Sequence, residues 1–306
     1  MEDDVVVAYE DGVAVAVEDD RENSRHEGEN EPEGVADHVV PGMEGGHCDP
    51  RRMALSEQEH EWAMSVKAAI EGSPEIDNLS DFMYVQLAVV HQGNLANAVE
   101  SASRLQQTRQ DYSLLDTYEE GIRIQQKMVQ LFPGMYLSFT YAPEEGCFVL
   151  VFDITKLDQS ILNCVEKTRT WIASCFYNFH SFSPDFQSIR NGCIYIAECQ
   201  DYRWKANMVD YKTAEIFWGV IGSVYPLTIT KMRCFHTPMV FNVLFSMTKR
   251  LVPSEFSTKF QVGCQYEGRL DSLYFVPTPE AATQRLLGRF AECLKRRYEN
   301  EKAFKL

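Results

Sequence analysis

The chain has 306 residues, 45% hydrophobic, 12% aromatic and 24% charged, with 45 Asp and Glu against 29 Lys and Arg for a formal net charge of −16. That composition suits a globular protein of one large or two modest domains and excludes a collagen, a coiled coil and a wholly disordered chain. No apolar run reaches the roughly 18 residues of a membrane-spanning helix, and Met1-Glu2-Asp3-Asp4 lacks the basic stretch and apolar core of a secretory signal.

A charge of this size would repel nucleic acid and anionic membranes, but it is unevenly spread. Residues 1–50 hold 16 acidic side chains and only Arg21 and Arg25 as bases, which leaves 29 acids and 27 bases for the rest. The sequence therefore reads as an acidic tail, residues 1–52, on a nearly neutral body. Asp, Glu, Gly and Val dominate the tail, with Tyr9 as its one aromatic, too little apolar surface to offset the entropy of ordering. Within it, Asp11-Gly12 separates two β-prone runs, Val5 to Tyr9 and Val13 to Val17, the signature of a hairpin.

The body opens with helices. Ser56 and Glu59 form a capping box ahead of Trp62, Val66, Ala69 and Ile70 on one face. Ser80 starts a second helix through Phe82, Val85 and Val89, and Asn94 caps a third carrying Leu95, Val99, Ala102 and Leu105. A fourth spans Thr117 to Leu131 and stops at Phe132-Pro133-Gly134. After that break Met135 to Ala142 alternates as a strand, and Cys147 to Asp153 is apolar without alternation, as expected of a strand buried on both faces. Helical patterns over about 158–178 and 210–224 separate strands at Gly192 to Cys199 and Lys231 to Thr237, with a further strand at Thr258 to Val262. This order predicts an α/β fold: an N-terminal helical segment (53–131), then a mixed sheet with crossover helices (132–276), then a basic amphipathic helix (277–306). The basic helix suits either an anionic membrane or the core, the second being the commoner use of such a stripe.

Enzymatic chemistry has no visible address. None of the nine cysteines forms a Cys-x-x-Cys pair, and their odd number suggests free thiols in a reducing compartment. Cys234 and His236 share a strand face by alternation, but nothing supplies the orienting third group of a nucleophilic dyad. Histidines and carboxylates lack metal-ligand spacing, and glycine-rich phosphate loops are missing. No catalytic residue, metal or cofactor is expected.

The informative stretch is Tyr225 to Gly263. In Lys231 to His236, alternation sends Lys231, Arg233 and Phe235 one way and Met232, Cys234 and His236 the other. Beyond Pro238, Asn242, Ser246, Lys249 and Arg250 make a narrow polar stripe on a predicted helix whose remaining arc is apolar. Such an arc is wider than contact with one sheet face requires; a plain, fully packed crossover helix is the alternative.

The Tyr225-Pro226 pair, the strand ending in Pro238, the spaced Phe241, Phe245 and Lys249, and then Lys259, Phe260 and Gly263 resemble the CRAL-TRIO lipid-binding domain family, which includes retinaldehyde-binding, tocopherol-transfer and yeast-type phosphatidylinositol-transfer proteins. The resemblance covers roughly residues 55–265. It implies a hydrophobic pocket enclosed by the sheet and a mobile gate. The pocket would be lined by Ile194, Ile196, Met232, Cys234, His236, Phe241, Leu244, Phe245 and Phe260. Pro238, Val240, Met247 and Leu251 would belong to the gate helix, and Lys231, Arg233, Lys249, Arg250 and Lys259 would meet membrane or phosphate. Departures from the family pattern bear on the ligand: Leu227 replaces an acidic residue of the phosphatidylinositol binders, Thr258 stands where they carry a base, and Glu198 sits where Asp is common.

The expected function is a non-enzymatic lipid-binding or transfer protein. It would hold one lipid or other hydrophobic small molecule and exchange it during transient contact with a membrane surface, from a cytoplasmic, peripheral location. No nucleic acid is expected as a partner, and the acidic tail is a candidate for binding a protein. An adaptor of the same fold with a closed pocket is the alternative.

Overall fold

A computed structural model describes residues 7–10, 13–16, 50–73, 76–77, 79–143, 145–156, 164–200, 225–239, 258–264 and 279–306. The chain divides into two units, Met1–Ala36 and Asp37–Leu306. In the first, strands β1 (Val7–Glu10) and β2 (Val13–Ala16) pair antiparallel, Val7 opposite Ala16 and Glu10 opposite Val13, on either side of the Asp-Gly signal. The remainder of the acidic tail lies outside the described residues.

The second unit begins with four helices where the sequence placed them: α1 (Glu57–Glu71), α2 (Asp81–Val90), α3 (Leu95–Asp111) and α4 (Tyr118–Leu131). Each start is fixed by a side-chain oxygen that accepts from the backbone N–H three residues on, from Ser56, Ser80, Asn94 and Thr117 in turn. At α1 the capping box is complete, because the Ser56 amide donates to Glu59 Oε2 at 2.8 Å. Glu59 also takes a two-pronged ion pair from Arg190, which holds its carboxyl well below the usual range, at about 2.

Five strands follow in one sheet of order β3 (Tyr136–Ala142), β4 (Cys147–Asp153), β5 (Cys193–Glu198), β6 (Ile229–Phe235) and β7 (Phe260–Cys264). β3 and β4 are antiparallel, and β4 through β7 run parallel. The parallel pairs need crossovers. The one between β4 and β5 contains α5 (Val165–Phe182) and α6 (Phe186–Asn191). α5 ends four residues beyond its predicted limit, and the start expected near residue 158 lies outside the described residues. α6 has too few residues for a periodic signal; Asp185 caps it by accepting from the Ser188 amide at 2.9 Å. Gly192 then turns the chain into β5 at φ +69°, where a Cβ would lie 2.2 Å from the Thr228 carbonyl oxygen. The helices predicted over 210–224 and beyond Pro238 lie outside the described residues, apart from Pro238 and Met239.

The last helix, α7 (Pro279–Ala303), packs against β3, α4, α5 and α2. Leu286, Phe290, Cys293 and Leu294 are buried, and Phe290 lies nearly parallel to Phe139 with ring centroids 4.3 Å apart. The apolar stripe of the basic helix is thus core. Several of its bases also face inward: Arg289 donates to the Phe139 carbonyl, Arg296 lies 3.8 Å from Asp185, and Arg297 is fully buried.

Candidate functional site: the two faces of the sheet

Strand alternation and register divide the sheet's side chains into two sets. On one face Phe148, Leu150, Phe152, Tyr195, Met232 and Cys234 join a large core with Phe176, Phe179 and Phe182 of α5 and Phe290 of α7. Tyr195 meets Phe182 edge-on at 5.3 Å, and Phe139 meets Phe182 edge-on at 5.4 Å. Ala142, Cys147, Val149, Val151, Ile194, Ile196 and Phe235 form a separate cluster, joined by the partly buried Leu137. Every member comes from a strand or its continuation in β3. Among the described residues no helix contributes an apolar side chain to it.

Cys147 to Phe152 is apolar throughout because β4 supplies both clusters. The register also separates the expected pocket residues. Ile194 lies beside Lys231 and Ile196 beside Arg233, whereas Tyr195 lies beside Met232 and Met232 beside Phe260. Ile194 and Ile196 therefore share the second face with Lys231 and Arg233. Met232, Cys234 and Phe260 belong to the helix-packed face. One pocket over the sheet cannot be lined by both sets. Sequence reasoning missed Val149, Val151 and Phe235, which border Ile194 and Ile196. Their signal was present in the unbroken apolar run of β4 and in the alternation of Phe235 with Arg233, but only the inter-strand register joins the two.

His236 departs from the expected alternation. β6 ends at Phe235, and His236 adopts φ +49°, a left-handed conformation uncommon for a residue with a side chain. The turn carries its ring away from Cys234 and onto Glu198, whose carboxylate oxygens lie 2.9 and 3.1 Å from Nδ1. Glu198 also accepts from the amides of Cys199 and Gln200 at 2.8 and 2.7 Å, which anchors it at the carboxyl end of β5. The acidic residue in the place of the more common Asp is thus a fixed acceptor at the rim of the second face, with Asp153 beside it in register. The Cys234–His236 dyad is not formed, since Cys234 packs in the helix-side core.

Elsewhere on the second face, Arg233 lays its guanidinium 5.0 Å from the centre of the Phe235 ring, a cation over a fully buried aromatic. Lys231 is exposed, and Lys259 is half-buried just before β7. Pro238 is half-buried and Met239 exposed. The remaining expected site residues, Val240, Phe241, Leu244, Phe245, Met247, Lys249, Arg250 and Leu251, lie outside the described residues. Three thiols are held away from the nucleophilic thiolate form: burial pushes Cys147 and Cys175 up to about 12, and contact with Cys234 together with burial raises Cys199 strongly. Among the described residues no three potential metal ligands come together, and no helix is long and apolar enough to cross a membrane.

Among solved structures, one titled "Crystal structure of Sfh5" is similar, with 14% identity and a TM-score of 0.49 over 78% of this chain and 98% of that one. No curated protein sequence matches the chain. The family model described as the CRAL/TRIO domain matches residues 135–273, the span that builds the sheet and both of its faces. Over residues 135–273 the chain accordingly matches the CRAL/TRIO domain, a family of lipid-binding and lipid-transfer domains.

Proposed function

We propose that this lobe holds one hydrophobic ligand against the second face of the sheet, beneath a gate helix running from Pro238 to Leu251, and exchanges it at membrane surfaces without catalysis. The observation that carries this reading is the second face itself. It is an apolar floor of Val149, Val151, Ile194, Ile196 and Phe235 that receives no apolar side chain from any described helix, in a domain of a lipid-binding family. Covering such a floor with lipid is favourable by about 25 cal/mol per Å² of apolar area buried. In this proposal Val240, Phe241, Leu244, Phe245, Met247 and Leu251 supply the apolar underside of the gate. Lys231, Lys249, Arg250 and Lys259 meet phosphate at the membrane, and Arg233 and Glu198–His236 flank the polar end of the ligand. Pickup and release require only that the open gate be favoured at the membrane, a difference in affinity between two states.

The complete burial of Val149, Val151, Ile196 and Phe235 favours a second reading, in which the pocket is closed and the module works as an adaptor. Two measurements separate them. Lipid extracted from the purified chain and identified by mass spectrometry is expected in near-stoichiometric amount. Ile196→Trp is expected to cut that amount several-fold while leaving the melting temperature close to wild type, because the added ring displaces ligand. In a permanently closed pocket the same substitution overpacks the core at a cost of about 1–3 kcal/mol, and no lipid is found in either protein.

A further inference from the structure

Two bonds tie the end of β6 to the end of β5, one through the backbone and one through side chains. One residue past the last register pair, Glu198 beside Phe235, the Cys199 amide donates to the Phe235 carbonyl at 3.1 Å. Glu198 accepts from the Cys199 and Gln200 amides, and its carboxylate oxygens lie 2.9 and 3.1 Å from His236 Nδ1. A carboxylate only accepts, so Nδ1 carries the proton in this contact. Between the two bonds His236 takes φ +49°. The other left-handed side chains among the described residues, Gln92 and Ser113, follow helices α2 and α3, where such a residue closes the helix. His236 follows a strand, and no helix end accounts for its conformation.

We infer that Glu198 and His236 form a clasp that holds this left-handed turn and so sets the path on which the chain leaves β6. Histidine, asparagine and aspartate enter the left-handed region more readily than other side chains, and β-branched residues hardly at all. A loose surface pair gains little, because two long side chains lose freedom to meet. Here one partner is already fixed. The Glu198 side chain is 11% exposed and held by two amides, so only the His236 ring has to be ordered. Past the turn the chain runs beside the end of β7, where a Cβ on Gly263 would lie 3.8 Å from Thr237 Oγ1. The clasp itself is independent of any ligand. Its use rests on the reading above, in which the segment that follows is the gate: a fixed root seats that segment in one register over Ile194, Ile196 and Phe235 and slows the loss of lipid. Glu198 and His236 are positioning residues in this role.

The test uses the full chain and two variants. His236→Val removes the donor and disfavours the left-handed backbone, whereas His236→Asn keeps a donor and a residue at home there. In histidine-labelled wild type at mildly alkaline pH, nitrogen NMR is expected to find the His236 proton on Nδ1. Backbone chemical shifts at residue 236 are expected to be left-handed in the wild type and in His236→Asn and extended in His236→Val. Co-purified lipid is expected to pass to phosphatidylcholine vesicles several-fold faster from His236→Val than from His236→Asn. A proton on Nε2, the form that neutral histidine favours in water, overturns the clasp, and so does a left-handed residue 236 in His236→Val. Equal lipid loss from the two variants overturns its role in retention. A wild type that carries no lipid removes the ligand reading instead, and the tautomer and backbone shifts, which need no lipid, still decide the clasp. Should His236→Val fail to fold, His236→Ala takes its place in each comparison.

Discussion

At His180, burial and charge pull in opposite directions. Asp116 lies 3.7 Å from its Nε2 and would favour the imidazolium, but that carboxylate is already engaged by the Tyr298 hydroxyl at 2.7 Å and by Arg109. Burial opposes the charged form, Arg297 and Arg109 add repulsion, and Glu301 offsets only part of it, so His180 titrates well below its ordinary 6.5 and is neutral in the folded protein. The consequence for stability has a definite sign. Above about pH 6.5 both folded and unfolded chains carry a neutral ring, and this residue adds no pH dependence. Below it the unfolded chain takes up a proton that the folded chain refuses, so stability falls with pH, by up to about 1.4 kcal/mol per unit. Urea midpoints measured from pH 7.5 to 5 are expected to drop for the wild type and to drop less for His180→Phe. Glu59, held near 2, loses its contribution only as pH falls below its unfolded value near 4.5, outside this window. Parallel slopes for the two proteins would mean that His180 is charged in the core.

Helix α7 shows what an element outside the family span does for the lobe. Its Phe290 is fully buried, stacked on Phe139 of β3 and 6.0 Å from the ring of Tyr136, so the helix seals the packed face of the sheet. Phe290→Ala is expected to cost about 3–5 kcal/mol, read as a lowered urea midpoint, and to leave the second face unaltered. A loss below 1 kcal/mol would show that α7 is dispensable to the core. The helix itself was legible because Leu286, Phe290 and Leu294 recur at helical spacing, and so were the four capped helices and the two-faced β4. Harder to read were features that depend on chain neighbours brought together in space. The burial of Arg297 is set by Phe82 and Glu301, and nothing in its own sequence context marks it as different from Arg296. The division of Ile194 from Met232 needed the pairing of β5 with β6, and the turn of His236 onto Glu198 needed a left-handed backbone that composition does not reveal.

Over the whole molecule, the charge of −16 has two separate meanings. Sixteen acids precede residue 50, whereas the rest of the chain is close to balanced, so the body alone has little net repulsion from an anionic bilayer. Nor is it strongly attractive, because Arg52 is bound to Asp185 at 2.7 Å, Arg190 to Glu59, and Arg289, Arg296 and Arg297 face the interior. The exposed side of α7 alternates Arg285, Lys295 and Lys302 with Glu292 and Glu299 and carries no strong field. With few bases left to attract phosphate, the net negative charge of the acidic segment should dominate the electrostatics of an encounter with an anionic membrane. Removing residues 1–49, which spares Arg52, is therefore expected to raise binding to phosphatidylserine-containing vesicles several-fold in flotation assays at low salt. The gain should shrink at about 0.5 M salt, where the screening length falls well below 10 Å. If the two proteins bind equally at low salt, the acidic segment does not restrain the lobe electrostatically. A gain that persists undiminished at high salt would point to steric blocking in place of charge.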